Sequence, residues 1–457
     1  MAIESINPAT GKLIKSYQAL SQQEVEQRIS ETHNSWLIWK TISFQERARY
    51  IKNTAEVLRK RKAELAHLMA LEMGKPLKAG EAEIEKCAVC CEYYAENGAK
   101  FLAPELIETD ADKSYVVFQP LGVVLAIMPW NFPFWQAFRF IAPALMAGNC
   151  GVLKHSSNVA GCAIAIEEII REAGFPGNVF QTLLIGSDAV DKVIENTFIK
   201  AVTLTGSTSA GKKVAQKAAS LLKKSVLELG GSDPYLILKD ADLELAAKVC
   251  TESRLINSGQ SCIAAKRFIV AKEIEDEFIN RFKENMSSKN MGNPLDEKNT
   301  IGPQARHDLR DELHQQVLKS IEMGAKCVLG GEIPEGDGAF YPPTILTNVK
   351  KGMPAYDEEL FGPVAAVITA DSEEKAIEIA NDTIFGLGAA VFSRDLPTAE
   401  HIAANLLNAG SCFINELVKS DPRLPFGGIN QSGYGRELGV YGIKEFVNIK
   451  TVFIKEP

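Results

Sequence analysis

Apolar and charged residues recur at helical spacing through the first hundred positions of the chain. Between residues 22 and 105, apolar residues such as Ile51, Ala55 and Leu58 fall three or four positions apart, and charged residues fill the intervals. This spacing puts the apolar side chains on one face of a helix. The segment is therefore predicted to form amphipathic helices.

The segment from Ser114 to Leu153 carries a single charged side chain, Arg139. Its length alone would suit a membrane helix, which needs about 20 consecutive apolar residues. Prolines interrupt the segment, however, at positions 120, 129, 133 and 143. We therefore predict buried strands and a short core helix here, and no membrane span.

Strand and helix patterns alternate from about residue 151 onward. Short apolar runs at 151–154, 179–184 and 201–205 alternate with helical patterns at 159–173 and 209–222. Strands and helices that alternate in this way form parallel sheets through right-handed crossovers. A second set runs from about 229 to 425, so the chain is predicted to be an α/β protein.

Length, charge and cysteine content narrow the class of protein. A chain of 457 residues is too long for one compact core and predicts two or three domains. Fifty basic and 58 acidic residues give a net charge of −8, which argues against nucleic acid as the main partner. Nine cysteines suit a reducing compartment, and the first residues lack a secretory pattern, so a cytoplasmic protein is expected.

Cys87, Cys90 and Cys91 form the one cluster that looks like a set of metal ligands. They lie within a helical pattern from 79 to 101, and no matching pair of cysteines or histidines supplies the other ligands. A structural role is favoured, and no metal site is predicted.

Cys262 lies in a setting that suits a nucleophile. Small and polar residues precede it in Asn257-Ser-Gly-Gln-Ser-Cys262, so a substrate could approach the sulfur closely. A catalytic thiolate needs access, a depressed pKa and a partner that handles protons or water. The alternative is a buried structural cysteine that only fills space.

Two further polar residues suggest catalysis. Glu228 interrupts an apolar strand, where burial would raise the pKa of its carboxyl into the range of a general base. The alternative is a carboxylate satisfied by backbone donors. Asn131 lies between Pro129 and Pro133, in a rigid turn that would fix its amide as a donor to an oxyanion.

The loop Thr205-Gly-Ser-Thr-Ser-Ala-Gly211 joins a predicted strand to a predicted helix. Backbone N–H groups and the helix dipole can bind a phosphate at such a position. The loop matches neither the dinucleotide-binding fingerprint nor the P-loop, so an ordinary strand–helix turn remains an equal alternative.

Taken together, these segments resemble the aldehyde dehydrogenase family along essentially the whole chain. Eight motifs stand in the family's order and approximate spacing, namely Asn7-Pro-Ala-Thr-Gly11, Pro129-Trp-Asn-Phe-Pro133, Leu153-Lys154, Thr205-Gly-Ser207, Glu228-Leu-Gly-Gly231, Gly259-Gln-Ser-Cys262, Glu359-Leu-Phe-Gly-Pro363 and Pro425-Phe-Gly-Gly428. Any one of them is weak evidence, but the set is specific.

The resemblance implies a fold of three parts. A Rossmann-like cofactor domain would comprise residues 1–111 and 125–228, and an α/β catalytic domain residues 229–425. Residues 112–124 and 440–457 would form a small β oligomerisation element, built from a mid-chain hairpin and a C-terminal strand near 447–454. A homodimer or homotetramer is expected on this basis.

The resemblance also implies a covalent mechanism. Cys262 would attack the aldehyde, and the Asn131 side chain and the Cys262 backbone N–H would hold the oxyanion. Hydride would leave for a nicotinamide, and Glu228 would activate water to hydrolyse the thioester. Relatives that transfer the thioester to coenzyme A lack this glutamate, so hydrolysis is favoured.

The expected cofactor residues follow from the same motifs. Lys154 matches the lysine that contacts the adenosine ribose, and the segment continues through His155 and Ser156. Ser157 stands where many NAD-preferring members carry a glutamate that would repel a 2′-phosphate. NADP is therefore preferred, with NAD as the alternative. The remaining cofactor contacts are expected from Trp130, Asn131, Gly206, Ser207, Leu229, Glu359 and Phe361.

Substrate identity depends on fewer residues. Arg139 lies where succinate-semialdehyde dehydrogenases of this family place an arginine for the distal carboxylate, and Ser420 would add a second donor. The alternative for Arg139 is a pair with a buried acid. Ile256 stands where many members carry another arginine. Oxidation of succinate semialdehyde to succinate is the leading prediction. Glutarate semialdehyde or an uncharged aldehyde is the second, and a catalytically idle binding protein is a remote third.

Overall fold

The computed structural model describes residues 2–457. Its strands are β1 (Ala2–Ile6), β2 (Leu13–Gln18), β3 (Glu105–Leu106), β4 (Lys113–Pro120), β5 (Val123–Met128), β6 (Cys150–His155), β7 (Phe180–Thr182), β8 (Ile199–Thr205), β9 (Lys224–Glu228), β10 (Pro234–Ile237), β11 (Arg267–Ala271), β12 (Lys326–Leu329), β13 (Thr344–Thr347), β14 (Val364–Ala370), β15 (Gly388–Phe392), β16 (Ser411–Ile414), β17 (Gly433–Tyr434) and β18 (Val447–Ile454). Its α-helices are α1 (Gln22–Trp39), α2 (Phe44–Lys60), α3 (Lys62–Met73), α4 (Leu77–Phe101), α5 (Pro133–Ala147), α6 (Ala160–Glu172), α7 (Val190–Glu195), α8 (Thr208–Ser220), α9 (Leu243–Leu255), α10 (Glu275–Ser287), α11 (His307–Glu322), α12 (Pro354–Asp357), α13 (Glu373–Asn381), α14 (Leu396–His401) and α15 (Gly439–Ile443).

Four helices, α1 to α4, fill the segment that the sequence predicted to be helical. Ser21 begins α1 with a capping box, in which its hydroxyl accepts from the Glu24 backbone N–H and the Glu24 carboxylate accepts in return. Gly74 ends α3 in the left-handed conformation, with φ +77°. The apolar faces of these helices pack into the main core, where Ile51, Leu58 and Leu65 are buried.

A six-stranded sheet has the order β17-β9-β8-β5-β6-β7. Its strands β5 to β9 are parallel, and β17 adds an antiparallel edge. The chain order reverses between β5 and β8, which are neighbours in the sheet. In open parallel sheets, ligands bind beyond the carboxyl ends of the strands at such a reversal. This edge is therefore the first place to look for a site.

A second sheet of seven strands has the order β12-β13-β14-β11-β10-β15-β16. All its pairs are parallel except β12 with β13. Its five inner strands are almost entirely buried on both faces, as near-continuous apolar runs such as Val364–Ala370 require, whereas the edge strands β12 and β16 are partly exposed. The predicted α/β class is confirmed by these two sheets.

A third sheet is three-stranded and antiparallel, with the order β18-β4-β3, and β1 and β2 form a separate two-stranded sheet. The predicted hairpin at 112–124 is wrong in its second half, because Val123 and Val124 belong to β5 in the six-stranded sheet. Both residues are buried, and a run buried on both faces fits a central parallel strand better than an edge hairpin. Instead, β4 pairs with β3 and with the C-terminal strand β18.

Helix α5 occupies the middle of the apolar segment. Pro133 begins the helix, Gly148 ends it with φ +96°, and all of its fifteen side chains are buried. Across residues 2–457, no helix combines the length and the apolar character that crossing a membrane requires.

Candidate active site

A cavity of about 390 Å³ opens at the carboxyl edge of the six-stranded sheet, where the chain order reverses. The residues that follow β5 and β8 line it, and the loop that carries Cys262 lies opposite. Of the residues predicted from the sequence, it brings together Trp130, Asn131, Gly206, Ser207, Leu229, Cys262, Glu359 and Phe361. These residues come from five separate segments of the chain.

The loop before Cys262 has an unusual backbone. Asn257, Ser258 and Gly259 take left-handed conformations in succession, with φ of +52°, +56° and +78°. A Cβ at Gly259 would lie 2.2 Å from the Gly362 carbonyl carbon, so only glycine fits there. Each non-glycine residue in this region costs about 1–3 kcal/mol of backbone strain. Such strain is commonly found at functional sites.

The buried side chain of Lys266 supports this loop through hydrogen bonds to its backbone. The Lys266 ammonium donates to the Ser261 carbonyl at 2.9 Å and to the Cys262 carbonyl at 2.7 Å. It also forms an ion pair with Glu359 at 3.4 Å. Sequence analysis missed Lys266, although the adjacent cations Lys266 and Arg267 at the start of the apolar strand β11 were a visible signal. The lysine links the Cys262 loop to Glu359 in the cavity wall.

The Cys262 thiol does not have the depressed pKa that the sequence analysis expected. Burial raises the pKa of Cys262 to about 12, and the Lys266 and Arg139 cations offset only part of that effect. Glu359 and Glu228 add negative charge nearby and raise it further. The thiol is therefore neutral at pH 7 in this structure, and attack on a substrate requires loss of its proton.

Two hydrogen-bond donors beside the sulfur are unused. The Asn131 side chain donates one N–H to the Gln260 carbonyl at 3.1 Å, which leaves its second amide hydrogen free. Within residues 2–457, the Cys262 backbone N–H donates to no other group. Asn257 fixes the turn by donating to the Asn131 carbonyl at 2.7 Å. This arrangement suits the binding of an oxyanion.

A buried ion pair fixes the start of the helix after Asn131. Glu83 of α4 accepts from the backbone N–H groups of Phe134 and Trp135, both at 2.9 Å, and pairs with Lys75. A carboxylate at this position satisfies orphan donors and the dipole of α5. Sequence analysis missed Glu83, which lies in a different helix from its partners.

Glu228 ends β9 and is buried at 2% exposure. Neither carboxyl oxygen has a hydrogen-bond partner within residues 2–457. The alternative interpretation, in which backbone N–H groups donate to the Glu228 carboxylate, is therefore wrong. Burial raises the pKa of the Glu228 carboxyl well above its usual value, the Arg139 cation lowers it, and Glu437 raises it again. A carboxyl of this kind becomes a strong base once it loses its proton.

The cavity has features that fit a dinucleotide. Ser207 caps α8 by accepting from the Ala210 N–H, and the helix N-terminus adjoins the cavity. A Cβ at Gly206 would meet only the Leu204 side chain, at 3.7 Å, so a ligand has room to approach the backbone. Lys154 is largely buried at the end of the neighbouring strand β6, although it does not line the cavity itself. These features fit the phosphates and ribose of a nicotinamide dinucleotide.

In the segment 155–157, two side chains are hydrogen-bonded within the protein and the third is exposed. Both ring nitrogens of His155 are used, one toward the Pro133 carbonyl and one toward the Ser156 N–H, each at 2.9 Å. The Ser156 hydroxyl donates to Asn158 at 2.7 Å. The polar atoms of these two side chains thus have protein partners, and their predicted cofactor contacts stay a prediction. Ser157 is exposed and available.

Arg139 and Ser420 do not line the cavity. Arg139 forms a buried ion pair with Glu437, donates to the Thr205 hydroxyl at 3.3 Å and lies over the Phe426 ring. The alternative interpretation of Arg139, a pair with a buried acid, is thus present in the structure, and its contact with a substrate carboxylate stays a prediction. Ser420 accepts from Lys86 and from Trp135, neither of which the sequence analysis singled out.

From residue 2 to 457, no group of three or more histidine, cysteine, aspartate or glutamate side chains is placed to hold an ion. Cys87, Cys90 and Cys91 are buried in α4 as free thiols.

Comparison with known proteins agrees with this geometry. A model of the aldehyde dehydrogenase family matches residues 1–452. The chain therefore belongs to the aldehyde dehydrogenase family, and the resemblance of its motifs is confirmed. It is 48% identical over 454 residues to a probable succinate-semialdehyde dehydrogenase [NADP(+)] of Synechocystis, covering 99% of this chain and 100% of that protein. It is 46% identical over 457 residues to succinate-semialdehyde dehydrogenase [NADP(+)] 1 of Mycobacterium tuberculosis, with 99% and 100% coverage.

Solved structures share the complete fold. The structure of Gox0499, studied for its cofactor and substrate selection, has a TM-score of 0.98 at 39% identity, over 99% of this chain and 100% of that one. Succinic semialdehyde dehydrogenase from Streptococcus pyogenes, solved with NADP+, has a TM-score of 0.97 at 36% identity, over the whole of both chains. The aldehyde dehydrogenase fold is thus confirmed.

Proposed function

We propose that this protein oxidises succinate semialdehyde to succinate with NADP as the hydride acceptor. The observation that carries the proposal is the full-length similarity, at 46% to 48% identity, to proteins named NADP-dependent succinate-semialdehyde dehydrogenases. The site supports the same chemistry, because the cavity combines a cysteine with unused oxyanion donors, and the buried Glu228 directly precedes Leu229 of the cavity wall.

Cys262 is the nucleophile in this proposal. Its thiol loses a proton and its sulfur adds to the aldehyde carbon. The free amide hydrogen of Asn131 and the Cys262 backbone N–H then hold the oxyanion, each contributing about 3 kcal/mol in the transition state. When bound, the cofactor supplies a nicotinamide that accepts a hydride. The substrate carbon is left as a thioester on Cys262.

Glu228 completes the cycle by acting on water. Its carboxylate takes a proton from a water molecule, the resulting hydroxide attacks the thioester, and the acid leaves as the thiol is restored. Because both carboxyl oxygens lack protein partners, either can receive that proton.

The proposal is tested by initial rates with NADP or NAD and with succinate semialdehyde or butanal. We expect kcat/KM to be at least about tenfold higher for succinate semialdehyde than for butanal, and for NADP than for NAD. A difference of this size is typical when one charged group of the ligand is bound specifically. Equal rates on the two aldehydes would contradict the substrate and leave the dehydrogenase mechanism in place. Preference for NAD would contradict the cofactor.

Lys154 and Ser157 carry the proposed preference for NADP. Lys154 brings a positive charge to the ribose side of the site, and the exposed Ser157 hydroxyl can donate to a 2′-phosphate. Glu359 and Phe361 would contact the nicotinamide ribose, while Trp130, Gly206, Ser207 and Leu229 would line the rest.

Replacing Ser157 with glutamate is expected to reverse the cofactor preference. Two like charges about 4 Å apart at an effective dielectric of about 20 repel by roughly 4 kcal/mol, and solvation reduces this. We expect kcat/KM for NADP to fall at least about 100-fold, with that for NAD changed less than about fivefold. Ser157→Ala is the control, since it removes the hydroxyl without adding charge. A parallel loss with both cofactors would show damage to the site rather than repulsion.

A homodimer or homotetramer is proposed for the assembly. Strand β18 lies at the edge of its sheet and exposes apolar side chains, with Ile449 at 62% and Phe453 at 53% exposure. An exposed apolar edge strand is a template for pairing with a second chain. Light scattering is expected to give two or four times the chain mass of 49.9 kDa. A monomer at micromolar concentration would contradict the assembly.

The cytoplasm is the proposed location, because all nine cysteines are free thiols that a reducing compartment preserves. Recovery of the native protein in a secreted or membrane fraction would contradict it.

A further inference from the structure

The Lys266 ammonium has three acceptors, and two of them belong to the backbone beside the Cys262 sulfur. It donates to the Ser261 carbonyl at 2.9 Å and to the Cys262 carbonyl at 2.7 Å, and it pairs with the Glu359 carboxylate at 3.4 Å. An ammonium carries three N–H groups and no acceptor, so these three oxygens use all of its donors. The position of the lysine is therefore fixed by its own hydrogen bonds.

The three oxygens also keep Lys266 charged, although its side chain is fully buried. A buried charge persists only where its surroundings replace the hydrogen bonds of water. Burial lowers the pKa of Lys266, the Glu359 carboxylate raises it, and the Arg254 cation lowers it again. A neutral amine has two N–H groups and a lone pair, and that lone pair would face one of the three oxygens. The arrangement therefore favours the ammonium.

The contact with Ser261 determines the direction of the Cys262 backbone N–H. No peptide bond among residues 2–457 is cis. In a trans peptide, the C=O of one residue and the N–H of the next point in opposite directions. Because the Ser261 carbonyl points at Lys266, the Cys262 N–H points away from the lysine, and it donates to no other group of residues 2–457. The Ser261–Cys262 peptide thus has its negative end on a cation and its positive end unused.

A turn and close packing hold the same peptide independently of the lysine. The Ser261 oxygen also accepts from the Ala264 backbone N–H at 3.2 Å. A Cβ at Gly231 would lie 2.8 Å from the Cys262 carbonyl oxygen, so the backbone has little room to rotate there. What Lys266 alone adds is a positive charge. That charge polarises the peptide and makes its N–H a stronger donor, as in any chain of hydrogen bonds.

We propose that Lys266 strengthens the oxyanion hole by polarising the Ser261–Cys262 peptide, whose N–H donates to the negative oxygen that forms on the aldehyde. The inference rests on the proposed function, because it requires an aldehyde that adds to Cys262. Lys266 does not line the cavity, so it is a positioning residue that acts through the backbone. Its charge is in place before the reaction begins, which is what makes electrostatic stabilisation of a transition state effective.

The same charge also acts on the Cys262 thiol, and the two effects can be separated. Burial raises the pKa of Cys262, and the Lys266 cation offsets part of that rise. Without the lysine, the thiolate fraction falls and every reaction of the sulfur slows by that factor. Alkylation by iodoacetamide needs the thiolate and forms no oxyanion, whereas addition to an aldehyde needs the thiolate and forms one. The ratio of the two rates therefore reports the oxyanion hole.

The test measures both rates in Lys266→Met, at the same pH and at saturating NADP. We expect kcat/KM for succinate semialdehyde to fall about 10- to 100-fold further than the alkylation rate, because the oxyanion donor is weakened but stays in place. Lys266→Arg keeps the charge and can donate to both carbonyls, so its ratio of rates should stay within about threefold of the unmodified enzyme. Lys272→Met is the control, because Lys272 directly follows β11 and is exposed.

A second variant decides the matter if Lys266→Met does not fold, which near-ultraviolet circular dichroism detects. Lys266→Gln keeps an uncharged donor beside the two carbonyls. Because hydrogen bonds from an uncharged donor are about half as strong, we expect kcat/KM to fall at least about fivefold further than the alkylation rate.

Failure of the inference differs from failure of the proposed function. If Cys262→Ala still oxidises the aldehyde, or the unmodified enzyme does not oxidise succinate semialdehyde, the proposed function fails. If the unmodified enzyme is active but both rates fall by the same factor in Lys266→Met or, where that variant does not fold, in Lys266→Gln, the lysine acts on the thiol alone and its role in the oxyanion hole is overturned. Unchanged rates would overturn it as well, and so would a folded Lys266→Arg whose ratio falls as far as that of Lys266→Met.

Discussion

Replacing Cys262 with alanine is expected to lower the oxidation of succinate semialdehyde by at least about 10⁴-fold, because no other group can form the covalent bond to the aldehyde carbon. NADPH formation at saturating substrate measures the loss. Cofactor binding, followed by the quenching of tryptophan fluorescence, should be unchanged, since the sulfur is not needed to hold the dinucleotide. Cys412→Ala is the matched control, being another partly exposed free thiol.

Because the pKa of Cys262 is raised, the pH dependence of its alkylation provides a second measurement. With a pKa of about 12, the thiolate is a minor species at neutral pH and increases with each step toward alkaline pH. Alkylation of Cys262 in the cofactor-free enzyme should therefore accelerate about tenfold per pH unit between pH 7 and 9. A plateau below pH 8 would mean that the thiolate is stabilised in a way that the structure lacks. Residual oxidation above a tenth in Cys262→Ala would exclude this cysteine as the nucleophile.

Replacing Glu228 with glutamine is expected to stop the reaction after its first half. The variant should release a burst of about one NADPH per subunit and then turn over about 10²- to 10⁴-fold more slowly, as loss of a general base does. Stopped-flow absorbance measures both phases. The amide fills the space of the carboxyl, so the fold is preserved while the base is removed.

The pH dependence of turnover separates this role of Glu228 from others. Its pKa is raised by burial, so the protonated form persists to higher pH than in water and the reactive carboxylate increases as pH rises. Steady-state turnover of the unmodified enzyme is expected to increase with pH, and Glu228→Gln should lose the part of this dependence that arises in thioester hydrolysis, while the rate of the burst keeps the dependence due to Cys262. A variant that loses turnover without a burst would mean that Glu228 acts before hydride transfer, contrary to the proposed mechanism.

The proposed catalytic groups could be found from the sequence because each leaves a local signal. Cys262 follows a run of small polar residues, Glu228 interrupts an apolar strand, and Asn131 lies between two prolines. The alternation of apolar runs and helical patterns likewise predicted α/β sheets, since side-chain periodicity depends only on neighbours in the chain. The carboxyl-edge position of the cavity then followed from parallel strands.

The ion pairs and hydrogen bonds that surround the site could not be predicted from the sequence in this way. Arg139 finds its anion in Glu437, near the far end of the chain, and Glu83 reaches the start of α5 from another helix. Lys86 looks like any charge on an amphipathic helix until folding places Ser420 and Trp135 against it. The pKa of Cys262 depends on burial and on charges from four other segments, which no local pattern contains.

The sequence by itself thus determined the periodic elements and the sheet class and predicted the residues that react, because these follow from local chemistry and motif order. The tertiary structure alone decided which charges are neutralised, which donors remain unused and which strand pairs with β4. Those properties arise from contacts between residues distant in the chain, and Coulomb and hydrogen-bond energies depend on distance in space rather than on separation in sequence.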